Sequence, residues 1–134
     1  MGNDYTATTQ GVKVSVRSFF LADKSNPDEG EFFWAYRIRI ENQGDDAVQV
    51  LKRTWHITDA QGRTQSVHGD GVVGETPVID PGKMFEYTSG TPLNTPSGFM
   101  GGMYHAVVVP TGEKLDLTIP TFSLDSPHQD HRVH

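Results

Sequence analysis

Between His68 and Tyr104 the chain concentrates eight of its fourteen glycines and four of its eight prolines. The stretch runs through Gly69-Asp70-Gly71-Val72-Val73-Gly74-Glu75, Pro77, Pro81-Gly82, Gly90, Thr95-Pro96-Ser97-Gly98 and Gly101-Gly102. Glycine is required where φ is positive or another backbone comes close, and proline fixes φ and removes a donor. A segment so rich in both, and so poor in apolar residues, predicts a long shaped loop system resting on strands. It leaves no room for a packed helix.

The remainder of the chain supplies those strands. Val12, Val14 and Val16 alternate with Lys13, Ser15 and Arg17, and Trp34, Tyr36, Ile38 and Ile40 alternate with Arg37, Arg39 and Glu41. Period-2 alternation marks a strand with one face buried. From Val48 to Thr58 the phase slips, and a bulge near Val50-Leu51 would return Val48, Val50, Leu51, Trp55 and Ile57 to one face. Asp59-Ala60-Gln61-Gly62 turns into a short strand over 63–68, a brief extended piece follows at 77–79, and further strands are predicted over 83–88, 103–109 and 115–119. Asp23 to Glu31, with Asn26-Pro27 and Gly30, reads as a surface loop. Seven or eight strands without helical periodicity predict an all-β, antiparallel two-sheet sandwich of immunoglobulin or fibronectin type III type. One domain is expected over 1–127, with 128–134 a frayed tail.

Bulk properties exclude whole classes of function. A length of 134 residues suits one core. Without cysteine, disulfides, thiolate chemistry and cysteine-ligated metals are all ruled out. The formal net charge of −6, with only Lys83, Lys114 and Arg132 basic in the second half, offers no stripe for displacing counterions from nucleic acid. Met1 to Tyr5 lacks the charged and apolar regions of a signal peptide, and no segment is apolar enough to insert into a bilayer. A cytoplasmic protein that neither enters membranes nor binds nucleic acid is expected.

Several constellations of residues bear on chemistry. Gly69-Asp70-Gly71-Val72-Val73-Gly74 fits G-x-G-x-x-G, which cradles a pyrophosphate only between a strand and a helix. Pro77 follows too soon for that helix, which leaves a tight connection between strands or a looser phosphate contact through the loop amides. Arg37, Arg39, Lys52 and Arg53 fall on neighbouring predicted strands as one basic patch, the seat for an anion or an acidic partner. The ligand-binding candidates are therefore Gly69, Gly71, Gly74, Arg37, Arg39 and Arg53. Phe32-Phe33-Trp34 and Phe99-Met100 hold more apolar bulk than one sheet face buries, so Trp34 and Phe99 are the candidate interaction surface, for a second copy or for a partner strand at a sheet edge.

Ser89-Gly90 and Ser97-Gly98 read as turn formers without the base and orienting group a nucleophile needs. His128, His131 and His134 could gather a borderline cation only if the tail folded. His56 and His105 read as strand residues bonded to neighbours, and His68, beside the glycine loop, is the internal histidine to test. No catalytic residue, metal site or cofactor is assigned.

Gly71-Val72-Val73-Gly74-Glu75, Pro81-Gly82, Phe85-Glu86-Tyr87-Thr88-Ser89-Gly90, Thr95-Pro96-Ser97-Gly98, Met100 and Tyr104 together resemble the ApaG family of small bacterial proteins. The resemblance spans roughly 12–127 and implies the same sandwich. It also carries a family label tying some members to cobalt resistance and magnesium efflux, and the occurrence of the same domain in F-box proteins and a polymerase-delta-interacting protein. Those associations imply a non-enzymatic binding module with a protein partner, with nucleotide or polyphosphate binding, or assistance to metal efflux, as alternatives. Thr91 stands where some relatives carry cysteine, so a thiol-based role is not open to this chain.

Overall fold

The computed structural model describes residues 4–129. Among them nine strands follow in order: β1 (Tyr5–Thr9), β2 (Val12–Phe20), β3 (Phe32–Asn42), β4 (Val48–Asp59), β5 (Thr64–Asp70), β6 (Val78–Ile79), β7 (Met84–Leu93), β8 (Gly98–Val108) and β9 (Lys114–Leu124). All pair antiparallel, in two sheets ordered β1-β2-β3-β7 and β5-β4-β8-β9, with β6 beside β4. The expected sandwich is therefore the observed one. No helix of the described residues is long and apolar enough to cross a membrane.

The alternation read in β3 is the alternation found: Trp34, Tyr36, Ile38 and Ile40 are buried while Arg37 and Arg39 are exposed. They face Tyr104, Leu117, Ile119 and Phe122 of the second sheet across the core. In β4 the register with β8 shifts between Val50 and Lys52, where a bulge was expected. The bulge keeps Val48, Val50 and Trp55 buried and turns Arg53 toward the interior side.

Two features depart from the sequence reading. Tyr5–Thr9 pairs with β2 although its threonines give no apolar alternation. The glycine-rich stretch is also far more regular than a loop system, because β7 runs on to Leu93 and β8 begins at Gly98. The reason is close approach: a Cβ on Gly102 would stand 2.0 Å from the Thr54 carbonyl oxygen, at the point where the register of β8 with β9 shifts. Pro120 sits within β9, tolerated because β9 ends its sheet.

One side of the sandwich is closed by β9 packing on β1 and β2, with the Thr118 N–H donating to Thr9 Oγ1 at 3.2 Å. On the opposite side β7 and β5 are each the last strand of their sheet. His128, assigned from sequence to a tail with nothing to pack on, has its ring 5.7 Å from Phe20 and 6.0 Å from Phe32. His131 and His134 lie outside the described residues.

Candidate functional site at the free edge of the second sheet

The glycine motif closes β5 with a miniature hairpin. Val72 and Glu75 exchange backbone hydrogen bonds of 2.7 and 2.9 Å, and the two residues between them, Val73 and Gly74, both have positive φ, at 44° and 81°. That is the backbone of a type I′ turn. The Gly71 N–H donates to the Leu51 carbonyl at 2.6 Å. The amides of Gly71, Val72 and Glu75 are thus occupied within the chain, and Val72 is fully buried. No helix follows Gly74. Those three amides are therefore turned to the chain's own carbonyls rather than held out to a phosphate.

What the loop does present is carbonyl oxygen, and Arg53 takes it. From β4 the Arg53 side chain crosses its cross-strand partner Gly69, and Nη1 donates to the carbonyls of Asp70 at 2.9 Å and Gly71 at 3.0 Å. A Cβ on Gly69 would come within 2.6 Å of the guanidinium carbon, so the glycine leaves the space the guanidinium fills. Among the described residues no carboxylate lies within ion-pair distance of Arg53.

Three phenols stand close enough to feel that charge. Tyr87 and Tyr104 bond each other, Tyr36 stands beside the Ser89 side chain, and all three titrate above the ordinary phenol value. Burial is the main cause in each, and the positive charge of Arg53 opposes it. Together they form a polar seam between the two sheets, with Arg53 at its rim.

The outer face of the second sheet carries a different network. Thr54 Oγ1 is 3.1 Å from His68 Nδ1 and 2.9 Å from His105 Nε2, while His105 Nδ1 is 3.0 Å from Asp116 Oδ1. His56 bonds Ser66 at 2.9 Å on the same face. The histidines are therefore bonded to strand neighbours, as read from sequence for His56 and His105. An open depression of about 350 Å³ is bounded by Lys52, Arg53, Thr54, His68, Gly69, Asp70 and His105. The Asp116–His105–Thr54 order is that of a catalytic triad, but it lies on a flat sheet whose amides pair with neighbouring strands.

The structure brings together only part of the predicted set. Gly69, Gly71 and Arg53 meet, and Gly74 is at the adjoining turn. Arg37 and Arg39 do not join them, because β3 and β4, consecutive in the chain, belong to different sheets. Arg39 pairs with Glu86 at 3.0 Å and Glu41 at 3.6 Å, and Arg37 lies over the Phe19 ring at 5.6 Å. There is no single basic patch. Trp34 is fully buried with Nε1 donating to the Asp125 carbonyl at 2.8 Å, so it belongs to the core and not to a surface. Phe99 remains 48% exposed, at the far end of the histidine face.

Against known proteins the match is extensive. The family model of the ApaG domain covers residues 22–108. The chain is 56% identical over 124 residues to Protein ApaG of Rhodospirillum centenum, covering 92% of this chain and 95% of the relative. It belongs to the ApaG family. A second ApaG, from Paramagnetospirillum magneticum, is 54% identical over 96% of this chain and 98% of its own length. Among solved structures, a Bordetella pertussis protein described as ApaA superposes with a TM-score of 0.84 at 42% identity, covering 88% of this chain and 95% of that one.

Proposed function

We propose that this ApaG-family protein is a non-enzymatic binding module that takes an extended segment of a partner protein along the free edge of β5. The observation that supports the reading most is that β5 is a terminal strand of seven residues with no proline, no lysine or arginine and no bulge. Those are the devices that ordinarily block an edge, and an edge without them is a template for another strand.

The direction of its backbone groups follows from the register. In antiparallel pairs, residues opposite each other alternate between exchanging two hydrogen bonds and exchanging none. Because the Gly71 N–H donates to Leu51, Gly69, Val67 and Gln65 turn their backbone groups to β4. Thr64, Ser66, His68 and Asp70 turn theirs to the open side.

The reading is tested with Ser66→Pro, which removes an outward donor and leaves the β4 ladder intact. A partner isolated with the native protein should lose binding to this variant, and on addition to the native protein it should shift the amide signals of Ser66 and His68. A partner that binds Ser66→Pro undiminished overturns the proposal.

A further inference from the structure

We infer that the segment accepted along β5 carries a carboxylate that lands on Arg53. The inference rests on the edge reading above and adds the chemistry of the partner.

Three observations carry it. The guanidinium reaches past β4 and over Gly69, where β5 has no side chain, to the Asp70 carbonyl, one of the groups that points to the open side. It therefore stands at the inner margin of the edge, within reach of a side chain carried by an incoming strand. Both of its hydrogen bonds use Nη1, and among the described residues Nε and Nη2 meet no protein acceptor. A guanidinium is a planar fork suited to a bidentate carboxylate, and here one edge of the fork is open.

The surroundings favour an anion from outside rather than one from the chain. The nearest acid in sequence, Asp70, is opposite Lys52 and alternates with Gly69, so its side chain stands on the outer face and the guanidinium on the inner. The phenols of Tyr36, Tyr87 and Tyr104, all held protonated at neutral pH, add no negative charge beside the arginine. The half-buried position also weakens solvent screening, so a charge-assisted bond there counts for more than one on the open surface.

Acetylated, amidated heptapeptides of alternating Thr and Val test this, with a single Thr replaced by Glu or by Gln at each position in turn. Analytical ultracentrifugation comes first, since a dimer formed through β5 would make a second copy the occupant and overturn the inference. With a monomer, binding is followed by the amide signals of Ser66 and His68. In at least one register the Glu peptide should bind about tenfold more tightly than its Gln twin, the factor expected of one charge-assisted contact. The margin should narrow as salt is raised and vanish in Arg53→Met. Should that variant fail to fold, Gly69→Ala displaces the guanidinium while keeping the charge, and should also abolish the margin. Glu and Gln twins that shift the edge signals equally overturn the carboxylate and leave edge binding standing. Peptides that shift neither signal overturn both.

Discussion

Arg53 and Gly69 share one volume: the guanidinium carbon occupies the place, within 2.6 Å, where a side chain on Gly69 would begin. The two residues are direct cross-strand partners, so the absence of a Cβ on one is what lets the other cross the sheet.

Gly69→Ala should therefore push the guanidinium off the Asp70 and Gly71 carbonyls. The far end of an arginine yields easily, so the cost is the lost hydrogen bonds rather than a backbone clash, about 1–2 kcal/mol. Arg53→Met removes the same bonds by another route. Urea unfolding of the two single variants and the double should show the double costing clearly less than the sum. Additive costs would show that glycine and arginine act independently.

The two apolar candidates separate sharply. Trp34 is fully enclosed and Phe99 is half exposed, so Trp34→Ala should cost about 3–5 kcal/mol and Phe99→Ala should stay within about 0.5 kcal/mol. Denaturant midpoints measured at one temperature decide it. Equal losses would place Phe99 in the core.

The tyrosine seam predicts a weakening of the fold in alkali. Tyr36, Tyr87 and Tyr104 are raised above the unfolded phenol value of 10.0, chiefly by burial. Below that value both states hold the proton and the contribution to stability is complete. As pH rises past it, the unfolded phenols ionise while the folded ones do not, so the unfolded state binds fewer protons and stability falls. Each group adds a slope of at most about 1.4 kcal/mol per pH unit. Urea midpoints should be level from pH 7 to 9 and drop from 10 to 11.5, and Tyr87→Phe/Tyr104→Phe should flatten the drop. An equally steep drop in the double variant would assign it to other groups.

These contrasts mark what the chain discloses and what it withholds. The alternation of Val12 to Val16 and Trp34 to Ile40 fixes which faces are buried, because a one-residue slip would expose every core side chain. The bulge at Val50 was visible for the same reason. Sequence places Trp34 at the surface because Phe32-Phe33-Trp34 is too bulky for one face. Gly90 resolves the excess by leaving room for Phe33, whose ring carbon would lie 3.0 Å from a Cβ there. The Arg53 site was only half legible. Its glycines stand out, but Tyr36, Tyr87 and Tyr104 look like ordinary strand positions, and they converge only because β3 and β7 fold over β8. Period-2 patterning carries no information about which strands face each other, and that is also why Arg37 and Arg39 share a patch with Arg53 in the sequence reading but not in the fold.

The histidine face supplies a directional prediction. A carboxylate only accepts, so Asp116 requires the proton of neutral His105 to be on Nδ1, which leaves Nε2 to accept from Thr54. The Thr54 hydroxyl has one proton. With it directed at His105, its oxygen must accept from His68, whose proton is then on Nδ1 as well. Nitrogen-15 shifts of the neutral rings should report the Nδ1–H form for both, against the Nε2–H form that predominates in free imidazoles of this type. Thr54→Val should return His68 toward Nε2–H while His105, still held by Asp116, keeps its tautomer. Asp116→Asn should instead release His105 and, through the freed hydroxyl, His68. If Thr54→Val changes neither ring, the hydroxyl does not couple the two histidines, and the chain of bonds from Asp116 to His68 is broken at its centre.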